Sequence, residues 1–169
     1  MKPLLRTALP KDQPFLWEML YYAAHMDEGG EPPESARTNP TLAPYVEGFG
    51  RPDDIGVIAL DAATGALAGA AWIRRMPAAW PLYRFVDAST PELAIAVTPV
   101  HVGRGAGSLM LARLIADAAA IHSAIVLSVR SNNPAKALYE RHGFSIVTEI
   151  TNRVGSTSFI MNLALNRSR

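Results

Sequence analysis

Apolar residues recur along this chain in two rhythms. A continuous or alternating run of about four to eight predicts a strand, and a return every three to four positions predicts a helix. Leu4 to Ala8 is a short strand candidate. Phe15, Leu16, Met19, Leu20 and Ala23 then keep helical spacing and predict an amphipathic helix over 13–25, with Asp12 as its N-cap and Pro14 in the first turn. From Asp27 to Pro44 the pattern lapses. Gly29-Gly30, Pro32-Pro33, Pro40 and Pro44 mark a loop, with a short helix expected near 41–49. In a compact domain a loop of this length is more often functional than idle.

Ile55–Leu60 and Ala66–Ile73, joined through Asp61 to Gly65, read as an antiparallel hairpin. After Arg74-Arg75 a second irregular stretch carries Trp80, Tyr83 and Phe85. Leu93 to Val97 has the length and β-branching of a buried strand, and Pro99 stops it. A helix over about 106–121 follows, with Met110, Leu111, Leu114, Ile115 and Ala118 along one side and the Arg113/Asp117 pair on the other. Ala124–Val129 is another buried strand. Asn132-Asn133-Pro134 starts a helix that Gly143 ends, and Phe144–Thr151 with Ser156–Leu165 forms a closing hairpin turned at Val154-Gly155. The order β-α-α-β-β-β-α-β-α-β-β predicts a mixed α/β sandwich in one domain.

Composition narrows the function. The chain has 169 residues, 49% of them apolar and 18% charged, which suits one globular core. A net charge of +1 gives no reason to expect nucleic acid or an anionic membrane as partner. No apolar run approaches the roughly 18 residues that would span a bilayer. Charge arrives too early after Met1 for a signal peptide, so a cytoplasmic location is expected. There is no cysteine, hence no disulfide, thiolate metal site or thiol nucleophile. The histidines His25, His101, His122 and His142 form no recognisable constellation, nothing has metal-ligand spacing, and no metal site is expected.

The informative stretch is Glu92 to Leu111, where Gly103, Gly105 and Gly107 alternate between the central strand and the next helix. Residues without Cβ let a backbone approach an anion, and the N–H groups of a first helical turn point at it. This is not a P-loop, which needs Gly-Lys-Ser/Thr. Nor does the spacing fit a dinucleotide fingerprint, whose third glycine comes later and whose acid is missing from 124–130. A nicotinamide-dependent dehydrogenase is therefore disfavoured.

The glycine turn after Glu92-Leu-Ala-Ile-Ala-Val97, together with Asn132-Asn-Pro-Ala135-Lys-Ala-Leu138-Tyr139-Glu-Arg-His-Gly143-Phe144, resembles the GCN5-related N-acetyltransferases. The first block is similar to that family's acetyl-CoA motif, the second to its Asn-x-x-Ala-x-x-x-Tyr-Glu-x-x-Gly-Phe block. The opening Leu5-Arg6-Thr7-Ala8 with Asp12 is similar to the family's usual start. The two strong motifs fall between residues 92 and 144. One position departs: Val102 stands where Arg or Gln is usual. Arg104 is then expected to supply part of the lost polar contact.

The resemblance implies a mixed, mostly antiparallel sheet with splayed central strands. It also implies acetyl-CoA as co-substrate and direct transfer to a primary amine of a small molecule or peptide. Gly103, Arg104, Gly105, Ala106, Gly107 and Ser108 would hold the pyrophosphate. Ile95, Ala96 and Val97 would flank the pantetheine arm, an N–H near Val97 would polarise the thioester carbonyl, and Asn132 and Ala135 would border the arm, although Asn132 reads as well as a turn or cap residue. Tyr139 takes the general acid's position, the alternative being a helix aromatic that fills core. Glu92 is the candidate base, against the plainer reading of a solvated strand-end charge. Tyr21, Tyr22, Trp80, Tyr83 and Phe85 would line an acceptor pocket, or serve as core or homodimer contacts. A non-catalytic acyl-CoA-binding module is the competing reading.

Overall fold

The computed structural model describes residues 2–152 and 154–166. Seven strands form one sheet: β1 (Pro3–Thr7), β2 (Ile55–Asp61), β3 (Leu67–Arg74), β4 (Glu92–Val97), β5 (Ala124–Arg130), β6 (Ser145–Thr151) and β7 (Thr157–Ala164). Their order across the sheet is β1-β2-β3-β4-β5-β7-β6. Every neighbouring pair is antiparallel except β4/β5. The helices are α1 (Gln13–Ala23), α2 (Ser35–Thr38), α3 (Ala106–Ala118) and α4 (Ala135–Arg141).

Period-two alternation sorts the strand residues onto two faces. Val57, Ala71, Ile73, Leu93, Ile125 and Leu127 join Met110, Leu111 and Leu114 of α3 and Tyr139 of α4 in one core. Ile58, Ala70, Trp72 and Ala94 join Phe15, Leu16, Met19 and Leu20 of α1 in the other. Each fully buried leucine contributes about 1.5–3 kcal/mol, so the sheet is held from both sides by its own pattern.

Helices α1 and α4 end alike, and for a readable reason. Met26 N–H reaches Tyr21 O and His25 N–H reaches Tyr22 O, both at 3.0 Å; Phe144 N–H reaches Tyr139 O at 3.1 Å and Gly143 N–H reaches Glu140 O at 3.0 Å. Both are Schellman caps, which need one left-handed residue. Gly143 supplies it at φ 99°, and His25 supplies it at φ 57°. That cap stops α1 at Ala23 rather than at residue 25.

Three local expectations are corrected. Asp12 does not cap α1 with its side chain; the carboxylate turns back to accept Leu9 N–H and a two-pronged Arg6 guanidinium, all at 2.8 Å. The helix expected near 41–49 is a short 3-10 turn at Ala43–Tyr45. Pro44 removes a donor there, and Gly48 and Gly50 take positive φ beyond it. Helix α3 ends at Ala118, three residues short of the expected boundary at 121.

Candidate active site

Strands β4 and β5 meet in register at a single pair, Glu92↔Val126, where Val126 N–H donates to Pro91 O at 3.0 Å. Beyond it they separate. Thr98 N–H donates to Ala68 O at 2.8 Å, so Thr98 and the even-numbered residues before it turn their backbone groups toward β3. By alternation the N–H and C=O of Ile95 and Val97 point the other way, into the gap. Glu92, Leu93 and Ala94 are buried, whereas Ile95, Ala96 and Val97 are half-buried. The gap thus opens beside the three residues expected to flank a pantetheine arm.

Past the gap the chain turns through Gly103 (φ 79°) and Gly105 (φ 85°) into α3. A Cβ built on either glycine meets no heavy atom within 4 Å, so the conformation demands glycine and the space in front of the turn is open. The first helical backbone bond comes from Leu109 N–H to Gly105 O at 3.3 Å. The N–H groups of Ala106, Gly107 and Ser108 are the orphan donors of the helix mouth. Val102 and Arg104 are exposed, and Ala106 is buried. An open turn, positive φ and free donors fit a diphosphate.

Across the gap, Asn133 Oδ1 accepts Ala135 N–H at 2.9 Å and so caps α4. That assigns the cap to Asn133 and leaves Asn132 exposed in a concavity of about 420 Å³ lined with Ser131, Pro134 and Lys136. Tyr139 is buried against Phe144, ring centroids 5.9 Å apart. Burial pushes its phenol up to about 12. Among the described residues its hydroxyl makes no hydrogen bond, and it stays a proton donor at any ordinary pH.

Glu92 is not a solvated strand-end charge. It is 2% exposed. Trp80 Nε1–H donates to Oε1 at 2.8 Å and the Tyr45 hydroxyl donates to Oε2. Desolvation lifts the carboxyl from 4.5 to about 7, against the lowering effect of those two bonds. Burial and the neighbouring carboxylate also push the Tyr45 phenol well up. Glu92 shares the α1 face of the sheet, and Tyr139 lies in the core on the α3 face. The pair Glu92↔Val126 is where β4 and β5 part, so the gap begins beside Glu92.

Of the aromatic residues expected to line an acceptor pocket, Trp80 meets Glu92. Tyr83 hydroxyl ties Met76 N–H at 2.9 Å, Tyr21 hydroxyl donates to Glu31 O at 3.2 Å, and Phe85 is exposed. Tyr45 was not singled out by pattern, because one tyrosine in a proline-rich loop carries no signal. The structure fixes it: Trp72 Nε1–H donates to Tyr45 O at 2.7 Å, and Arg74 Nη1 donates to Pro44 O at 3.2 Å and Glu47 O at 2.7 Å. His101 pairs through Nδ1 with Thr98 Oγ1 at 2.6 Å and through Nε2 with Asp61 Oδ2 at 3.3 Å, tying the glycine turn to the β2–β3 hairpin. Among the described residues no three His, Asp or Glu side chains gather as a metal site, and no helix is long and apolar enough to cross a membrane.

A mixed sheet parted between the parallel strands β4 and β5, with a glycine-lined helix mouth beyond the gap, is the arrangement that the family resemblance implied. The chain matches the Acetyltransferase (GNAT) family model over residues 16–144 and belongs to that family. Solved structures share its fold. A GNAT-family acetyltransferase from Streptococcus pneumoniae has TM-score 0.69 and 23% identity, covering 98% of this chain and 100% of that one. An N-acetyltransferase from Staphylococcus aureus Mu50 has TM-score 0.68 and 21% identity over 98% and 100%. A spermidine N-acetyltransferase from Vibrio cholerae, crystallised with CoA and spermine, has TM-score 0.67 and 20% identity over 98% and 96%. No curated protein matches the chain in sequence.

Proposed function

We propose that this protein transfers the acetyl group of acetyl-CoA to a primary amine by direct attack, with both substrates bound together. What carries this is the parting of β4 from β5 beyond Glu92↔Val126, directly before the open glycine turn. The helix mouth at Gly103 to Ser108 would grip the diphosphate, with Arg104 adding the charge that Val102 cannot. Ile95 and Val97 would offer backbone partners to the arm, with Asn132 and Ala135 on the opposite bank. Bound acetyl-CoA supplies an activated acyl group as a thioester.

The rest is done by the chain's own groups. An alkylammonium titrates near 10 and must lose a proton before its nitrogen can attack. Glu92, poised at about 7, accepts that proton and later passes it to water. The Val97 N–H polarises the carbonyl, an oxyanion-type contact worth about 2.7–4 kcal/mol in comparable sites. As the N–C bond forms and the C–S bond breaks, Tyr139 donates its proton to the departing sulfur. The second proton lost by the nitrogen, as it becomes an amide, restores the phenol. A non-catalytic acyl-CoA module would have no use for a carboxylate buried at this cost, which favours the enzyme.

Thiol release from acetyl-CoA, followed across a panel of primary amines, tests the reading. Turnover on at least one amine, lost in Glu92→Gln, is the expected result. CoA binding by calorimetry without turnover on any amine would instead favour the binding module. No heat from CoA or acetyl-CoA would remove both. Arg104→Ala is expected to weaken acetyl-CoA binding, and unchanged affinity would dispose of its compensating role.

A further inference from the structure

A carboxylate taken out of water is ordinarily balanced by a cation. Glu92 is 2% exposed, yet among the described residues neither of its oxygens meets one. Its cross-strand neighbour Arg74 is engaged elsewhere, holding Asp54 Oδ2 at 2.9 Å and the carbonyls of Pro44 and Glu47. Both carboxylate oxygens are instead held by neutral donors, Tyr45 and Trp80. These two rings meet edge to face, centroids 5.6 Å apart at 79°, and are half-buried where Glu92 is fully so. They form the wall between the carboxylate and solvent.

The two donors are held unequally. Tyr45 is pinned through its own carbonyl by Trp72 and through Pro44 and Glu47 by Arg74. Trp80 belongs to the connection between β3 and β4. Among the described residues its backbone makes only the local bonds Trp80 N–H to Pro77 O at 2.9 Å and Tyr83 N–H to Trp80 O at 3.0 Å. Its ring is half-buried at the margin of the small cluster of Leu82, Val126 and Ile160, so the indole N–H can leave Glu92 by a shift of the ring along that cluster, with no sheet hydrogen bond broken.

We propose that Trp80 is a displaceable plug. The acceptor arrives as an alkylammonium, takes the indole's place on Glu92 Oε1, and is flanked by the Trp80 and Tyr45 rings. This builds on the N-acetyltransferase reading and adds what selects the acceptor. An ammonium brings the missing positive charge to the carboxylate and meets two π-faces. A neutral arylamine or alcohol of the same size offers Oε1 no more than the indole already does. Tyr45 is the positioning residue, keeping Oε2 occupied while Oε1 changes partner.

The test uses full-length ¹⁵N-labelled protein and its three indole N–H signals, from Trp17, Trp72 and Trp80, with Trp80 assigned by Trp80→Phe. n-Butylammonium chloride should move the Trp80 signal saturably, 1-butanol should not, and Glu92→Gln should abolish the response. A Trp80 signal that stays fixed in n-butylammonium, or moves equally in 1-butanol, overturns the plug. Thiol release then separates the two readings. Turnover of n-butylamine with an unmoved Trp80 signal sinks the plug and leaves the transferase. A moving signal without turnover on any amine keeps the ammonium site and removes the transferase.

Discussion

The indole N–H of Trp80 points at Glu92 Oε1 from 2.8 Å, and with Tyr45 on the other oxygen it seals a carboxyl raised to about 7. A base of that strength is ionised only as pH rises through its own value. The expected kcat/KM for an alkylamine therefore climbs through about pH 7 and levels above it, until the acceptor's ammonium begins to titrate near 10. Glu92→Gln should lower kcat/KM by roughly 10²–10⁴ and erase that limb. A pH–rate profile of the two proteins is the check; an unchanged limb in the variant assigns it to another group.

The same carboxyl should mark stability, with the sign fixed by the upward shift. Glu92 binds its proton more tightly folded than unfolded, so its contribution is fully present below 4.5 and is lost as pH rises through about 7. Above pH 7 the folded chain carries a buried charge at a cost of up to about 3 kcal/mol. Glu92→Gln should then be more stable than the parent at pH 8 and close to it at pH 4. Urea midpoints at the two pH values decide, and a variant less stable at pH 8 would contradict the assigned shift.

Tyr139 should separate chemistry from packing. Its phenol, pushed up to about 12 by burial, stays protonated throughout an assay, and its ring packs on Phe144. Tyr139→Phe keeps the ring and removes a hydroxyl with no partner among the described residues. Stability should change by less than about 1 kcal/mol, while turnover falls by roughly 10²-fold. Lost stability with intact turnover would return Tyr139 to the core.

Much of this was legible in the sequence because it is local. The strand runs, the glycine turn and the Gly143 stop each sit within one element, and the chain order of strands and helices follows from them. The mixed pairing also agrees with what the family resemblance implied. The surroundings of Glu92 were not legible, because its burial depends on Tyr45, 47 residues earlier, and on Trp80 from an irregular connection. Strand-end position suggested solvent, and tertiary covering decided otherwise. Asp12 failed as a cap for a similar reason: Arg6, on the neighbouring strand, competes for its carboxylate.

His25 occupies a cap position where glycine is the usual choice. A left-handed backbone in a residue with a Cβ costs about 1–2 kcal/mol, and His25 meets it while reaching Asn133 Nδ2 at 3.4 Å and Glu28 at 3.3 Å. Those contacts are long and partly exposed. His25→Gly should accordingly raise stability by about 0.5–1 kcal/mol, measured by denaturant midpoint. A loss of stability would mean that the Asn133 and Glu28 contacts outweigh the strain.

Two glycines should fail differently when given a Cβ. At Gly105 the space is open and only φ 85° objects, so Gly105→Ala should cost about 1–2 kcal/mol and raise the KM for acetyl-CoA by re-aiming the helix-mouth amides. At Gly69 a Cβ would stand 2.8 Å from Ala96 O and 3.3 Å from Val97 Cα, backbone that cannot yield without moving β4. Gly69 is also the register partner of Val97, the residue beside the gap. Gly69→Ala should therefore cost about 1–3 kcal/mol and, on the proposed mechanism, lower kcat as well, because the Val97 edge proposed to polarise the carbonyl is displaced. Melting curves and steady-state kinetics on both variants distinguish them. Equal effects on KM alone would mean that β4 is not rigidly coupled to β3.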